Sequence, residues 1–142
     1  MSRDRGRLLA VDYGERRIGL AISDPMGIIA SPAGFIARRK GKRPPIAEIV
    51  RRATALEARG FVVGLPLDEN GEDTDRATDV RRLAEELQRR TGLPVELIDE
   101  RYSTAAALRA IREMGGSTRQ RKGDVDALAA TILLQNALAR EA

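Results

Sequence analysis

Apolar residues come along this chain in short blocks, and their spacing changes from one half to the other. Arg7-Leu8-Leu9-Ala10-Val11 is a compact apolar run closed by Asp12, the pattern of a buried strand. After the turn Tyr13-Gly14-Glu15-Arg16-Arg17, Ile18, Leu20 and Ile22 alternate with Gly19, Ala21 and Ser23, which predicts a hairpin partner. Asp24-Pro25-Met26-Gly27 reads as a second turn. Ile28 to Ala37 reads as a third strand. Pro32 and Gly34 interrupt it, which assigns it to a sheet edge or to a bulge.

From Pro44 onward the spacing lengthens. Ile46, Ile49, Val50, Ala53 and Leu56 fall at helical intervals, with Pro44-Pro45 opening the helix and Gly60 expected to end it. Phe61 to Leu65 is another buried strand, stopped by Pro66. The polar loop Asp68 to Asp73 leads into a helix with Val80, Leu83, Ala84 and Leu87 on one face, closed by Gly92 and Pro94. Val95 to Asp99 is the next strand. Ser103 is placed as the N-cap of a helix running to Met114, terminated by Gly115-Gly116. Asp124 is expected to cap a last helix holding Val125, Leu128, Ala129, Ile132, Leu133 and Asn136. The order β-β-β-α-β-α-β-α-α predicts an α/β fold: an antiparallel meander continued by β-α units in a mixed sheet. With 142 residues, no linker and no internal repeat, a single domain over 1–142 is expected.

Composition narrows the chemistry. The chain has no Cys and no His. A disulfide, a thiol nucleophile, a thiolate zinc site and a Ser-His-Asp arrangement are therefore excluded. An enzyme made from this chain works with Asp, Glu, Lys, Arg, Tyr, Ser or Thr, and its hard oxygen donors suit Mg²⁺ or Mn²⁺. No apolar run approaches the roughly 20 residues needed to span a bilayer. The polar, basic start from Met1 to Arg7 does not look like a signal peptide, so a cytoplasmic protein is expected.

The net charge of +4 changes the picture little until its distribution is considered. Arg38, Arg39, Lys40, Lys42 and Arg43 form one cluster, and Arg119, Arg121 and Lys122 a second. Both suit phosphate contacts, and both are equally readable as solvated loops. With two Phe, two Tyr and no Trp, base stacking along a strand is poorly supplied. A nucleic acid bound here would be held by its backbone and shape.

Three acidic residues stand at the ends of apolar elements. Asp12 follows the first strand, Glu100 follows the strand Val95–Ile98, and Asp126 lies in what reads as the first turn of the last helix. Ligand sites in open sheets with β-α units gather at the carboxyl ends of the strands. Each residue alone has a plainer explanation: a turn residue, a surface partner for Arg101, and a charge at a helix N-terminus. No dinucleotide fingerprint or Walker A sequence competes with them.

Four stretches then resemble one family. Val11-Asp12-Tyr13-Gly14-Glu15-Arg16-Arg17-Ile18-Gly19-Leu20-Ala21-Ile22-Ser23-Asp24 resembles the opening signature of the YqgF/RuvX family of RuvC-like resolvases. Val63-Gly64-Leu65-Pro66-Leu67 is similar to its second motif, Asp99-Glu100-Arg101-Tyr102-Ser103-Thr104 to its third, and Lys122-Gly123-Asp124-Val125-Asp126-Ala127-Leu128-Ala129-Ala130 to its fourth. They occur in family order, from about Arg7 to Leu138. The resemblance implies an RNase H-like fold, a five-stranded sheet with helices on both faces, and three catalytic, metal-binding carboxylates falling on Asp12, Glu100 and Asp126. Asp124 competes for the third position; the alignment of Ala129-Ala130 favours Asp126.

The resemblance also implies Mg²⁺ or Mn²⁺ as cofactor and hydrolysis of phosphodiesters in maturing the 5′ end of pre-16S ribosomal RNA. Arg16, Arg17 and Arg101 are then expected to hold the scissile strand, with the clusters at 38–43 and 119–122 on the flanking backbone. A structured RNA precursor is the expected partner, and a monomer or weak homodimer the expected state. A Holliday junction resolvase would use the same site but needs two copies for two symmetric cuts. A non-catalytic RNA-binding assembly factor and a nucleotide-binding module are the remaining alternatives.

Overall fold

The computed structural model describes residues 6–38, 43–101, 103, 104, 106–108 and 122–140, with the side chains of 122–126 outside that description. Five strands, β1 (Arg7–Tyr13), β2 (Arg17–Ser23), β3 (Ala30–Ala37), β4 (Ala58–Leu65) and β5 (Val95–Asp99), form one sheet in the order β3-β2-β1-β4-β5. The pairs β1–β2 and β2–β3 are antiparallel, whereas β1–β4 and β4–β5 are parallel. The sheet is mixed, as expected. Helices α1 (Ile46–Ala55), α2 (Asp75–Thr91) and α3 (Lys122–Arg140) cover it.

Strand alternation divides β1, β2 and β4 between two apolar layers. Leu9, Val11 and Tyr13 of β1, with Ile18, Leu20 and Ile22 of β2, pack against Ile49 of α1 and Val80, Leu83 and Leu87 of α2. The opposite face is thinner. There Leu8, Ala10, Ala21, Val62 and Ile98 meet Ala130, Leu133, Leu134, Ala137 and Leu138 of α3. Small residues on both partners let α3 lie close to the sheet.

Two hydrogen bonds anchor α3 beside the segment that enters β3. Gln135 accepts from Ala30 N at 3.0 Å and donates to Ile28 O at 3.0 Å. Ala30 pairs with Ser23 at the end of β2, and Ser23 Oγ accepts from Leu8 N at 2.8 Å. Gln135 therefore stands level with the start of β1. Asp126 lies nine residues earlier, about 13 Å along the helix, and Leu8 to Asp12 also spans about 13 Å of strand. The stretch of α3 from Gln135 back to Asp126 is thus as long as the stretch of β1 from Leu8 to Asp12.

Several boundaries differ from those expected. α1 ends at Ala55 and Glu57 takes a left-handed φ of 57°, so the helix stops before Gly60. Gly60 belongs to β4, where a Cβ would sit 3.0 Å from Leu8 Cδ2; the glycine answers to a close approach of strands. α3 begins at Lys122, so Asp124 is not its cap and Asp126 lies just beyond the first turn. Leu128, expected on the buried face of that helix, is 47% exposed, and Asn136 is exposed too. Ala129 and Leu133 are buried as members of the expected set, together with Ala127, Ala130, Leu134, Ala137 and Leu138. β3 is an edge strand with a register shift opposite Gly19–Ala21, as Pro32 and Gly34 implied.

Candidate active site

Asp12 is the sixth residue of β1 and is fully buried (0% exposed). By alternation it shares its face with Leu8 and Ala10, the face that α3 covers. Its neighbours at that level carry no side chain. Asp12 pairs with Gly19 on β2, and because Val11 pairs with Val63, Gly64 of β4 lies alongside. Two glycines thus flank the Asp12 position on the adjoining strands.

Glu100 follows β5 and is 4% exposed. Gly64 pairs with Ile98, and Ile98 belongs to the layer beneath α3, so the parity of the chain puts Glu100 toward the same side. β1 and β5 are both parallel to β4, and both carboxylates therefore stand at strand carboxyl ends with Gly64 between their strands. Asp99 is different. It has the opposite parity, and Arg101 grips it through Nε–H to both oxygens at 3.1 and 3.0 Å and through Nη2–H at 2.8 Å. Those charge-assisted bonds hold the Asp99 carboxyl below the usual aspartate range. The same guanidinium reaches the carbonyls of Asp68 and Glu69 at 3.4 and 3.3 Å and so ties the end of β5 to the loop before α2.

Ser103 acts as the helix cap that its position implied. Its Oγ accepts from Ala106 N at 3.1 Å and donates to Glu100 O at 2.7 Å, which fixes the backbone directly after the glutamate. The rest of that expected helix, up to Met114, lies outside the described residues. So does the Asp126 side chain. Among the described residues, no three acidic groups come together as a metal site.

A family model described as "RuvX: Holliday junction resolvase" matches residues 6–140. The chain belongs to the RuvX family. A relative from Clavibacter michiganensis named "Putative pre-16S rRNA nuclease" is 42% identical over 136 residues, covering 96% of this chain and 84% of the relative. One of the same name from Koribacter versatilis is 42% identical, covering 95% and 88%. Thermus thermophilus RuvC in complex with a Holliday junction substrate superposes with a TM-score of 0.55 at 14% identity, covering 96% of each chain. That likeness bears on the fold alone, and the fold is RNase H-like.

The basic residues named from the sequence fall in two groups. Arg16, exposed, and Arg17, half-buried, lie in and after the β1–β2 turn, at the Asp12 end of the sheet. Arg38 is anchored: Arg38 N donates to Arg16 O at 2.8 Å, Nη1–H donates to Gly14 O at 3.1 Å, and its guanidinium lies 4.3 Å from the centre of the Tyr13 ring. Arg43 is exposed. Arg39, Lys40, Lys42, Arg119 and Arg121 lie outside the described residues, as does the Lys122 side chain. Sequence reading missed a third basic group on α2, at Arg82, Arg89 and Arg90. Arg82 and Arg89 are seven residues apart, two helical turns, and that spacing is the signal that marks a common face.

Proposed function

We propose that this RuvX-family chain is a metal-dependent endonuclease that hydrolyses phosphodiester bonds in maturing the 5′ end of pre-16S ribosomal RNA. One observation supports the chemistry: two buried carboxylates, Asp12 and Glu100, stand at the carboxyl ends of β1 and β5, the strands on either side of β4, and Gly19 and Gly64 flank Asp12. The name its relatives carry supports the substrate. Buried carboxylate oxygens of this kind fit a hard divalent cation, Mg²⁺ or Mn²⁺. Asp12, Glu100 and Asp126 would hold it, Asp12 as the central ligand. When bound, the ion supplies an activated water and charge stabilisation for the leaving oxygen.

The chain's own part follows from its sheet. β1 and β5 are locked to β4 by parallel pairing, so the two carboxylates keep their separation without any flexible loop between them. Ser103 fixes the backbone after Glu100. Arg16 and Arg17, at the mouth of the same end, draw in the phosphodiester and neutralise its charge. Arg101 acts mainly by positioning, since its fork is occupied by Asp99. In this reading the protein works on nucleic acid in the cytoplasm, as a monomer or weak homodimer. No helix among the described residues is long and apolar enough to cross a membrane.

The printed family description favours a second reading, a DNA junction resolvase. One assay separates them: cleavage of a pre-16S precursor and of a four-way junction, each in Mg²⁺ and in Mn²⁺, by wild type, Asp12→Asn and Glu100→Gln. Precise cleavage of the precursor, lost in both variants, is the expected result. Symmetric cutting of the junction alone would transfer the protein to the second reading. Full activity in Asp12→Asn would overturn the carboxylate mechanism.

A further inference from the structure

On the face of the sheet away from Asp12, an open groove of about 900 Å³ runs from the end of β1 along the seam between the start of α1 and α2. Its lining includes Tyr13, Arg38 and Arg43 at the strand end and Arg82, Arg89 and Arg90 along α2. Two carboxylates, Asp79 and Glu86, line it as well. Glu86 alone holds both Arg89 and Arg90, the latter at 2.8 Å, so that one negative charge fixes two positive ones side by side. Arg43 and Arg82 are exposed and make no ion pair among the described residues. The groove is therefore net positive, and its arginines are spread along its length.

Its position matters as much as its charge. Tyr13 and Asp12 are consecutive residues whose side chains leave β1 on opposite faces. Their Cα atoms are only about 3.8 Å apart. A strand that passes over the end of β1 on leaving the carboxylates enters this groove at once. From Asp79 to Arg90 the groove follows α2 for roughly 16 Å, enough for several phosphates. Tyr13 is buried with the Arg38 guanidinium over its ring, so the groove offers donors but no exposed aromatic face for a base. That combination selects the sugar-phosphate backbone and ignores sequence.

The geometry points to a second binding site: the groove between α1 and α2 takes the phosphate backbone of the single strand that flanks the cleavage point. This assignment rests on the nuclease reading above. It adds a length requirement, because only a substrate extended past the cleavage point reaches α2.

The test uses the full chain and two fluorescent single-stranded RNAs, one short and one extended on one side, bound at a series of salt concentrations. Wild type should bind the extended RNA at least tenfold tighter, with a steeper dependence on salt. Arg82→Ala/Arg43→Ala should lose most of that gain. Its salt slope for the extended RNA should fall by about 0.7 per lost phosphate contact. Thermal melting checks that the variant is folded, and single Arg82→Ala serves if the double variant is not. Equal binding of both lengths by wild type would overturn the proposal, as would equal losses on both RNAs in the variant. Cleavage measured in parallel separates the two ideas. Length-dependent binding without cleavage removes the nuclease reading and leaves the groove, whereas cleavage without length dependence does the reverse.

Discussion

Metal binding should be visible as stability, without any turnover. Asp12 and Glu100 are 0% and 4% exposed. In the proposed function an ion would be held between them by the folded chain, and the unfolded chain has no such pair to offer. Binding to the folded state alone adds RT ln(1 + [L]/Kd), about 1.4 kcal/mol for an ion at ten times its dissociation constant. In a domain of this length each kcal/mol moves the Tm by roughly 3–4 °C, so Mg²⁺ or Mn²⁺ should raise it by about 5 °C. Asp12→Asn keeps the shape of the side chain and removes its charge. Its melting temperature should respond to the same ion by less than about 1 °C, because the affinity drops out of the working range. The assay is a pair of melts followed by circular dichroism, with and without the divalent salt, at ionic strength matched with KCl. An equal rise in wild type and Asp12→Asn would refute the reasoning, as would a rise reproduced by KCl.

Three further outcomes follow from the interactions around the sheet. Ser23→Ala strands the buried N–H of Leu8 and should cost about 1–3 kcal/mol, read as a lower urea midpoint with an unchanged m value; Ser23→Thr, which keeps the hydroxyl, should lose less. Thr74 caps α2 by accepting from Ala77 N at 3.1 Å, so Thr74→Ala should cost about 1 kcal/mol in the same measurement. Arg101→Ala should remove a pH-dependent increment of stability. The folded-state pKa of Asp99 is depressed, so the increment is fully present above the ordinary aspartate value and fades as the pH falls through the lowered one. Urea midpoints of wild type and variant should therefore differ at pH 7 and converge in acid; a gap that stays constant from pH 7 to pH 3 would contradict this.

What the sequence made legible depended on how local the cause was. β1 announces itself because the four residues before Asp12, Leu8 to Val11, form one apolar run, and β3 announces its edge through Pro32. The end of α1 was hidden because Glu57, a residue with no preference for it, takes the left-handed turn that glycine usually supplies. Gly60 then misled, since its reason is Leu8 across the sheet. Of the site, Asp12 and Glu100 were nameable as candidates, yet the features that distinguish them are relational. Gly19 and Gly64 beside Asp12, and Asp99 occupied by Arg101, depend on strand pairing and parity. The groove on α2 stayed out of view because its arginines come from three separate segments.

The alanines under α3 have a mechanical consequence. Ala10 and Ala21 on the sheet and Ala130 and Ala137 on the helix are all at most 4% exposed, and they act as the thinnest spacers the side-chain alphabet offers short of glycine. The thickness of that layer sets how far α3 stands from the strands below. On the other face, bulky side chains can exchange volume with one another and repack. Here a single added methyl group has nowhere to go except outward, carrying the helix with it. The seating of α3 on the sheet is thus calibrated by residues that bear no charge.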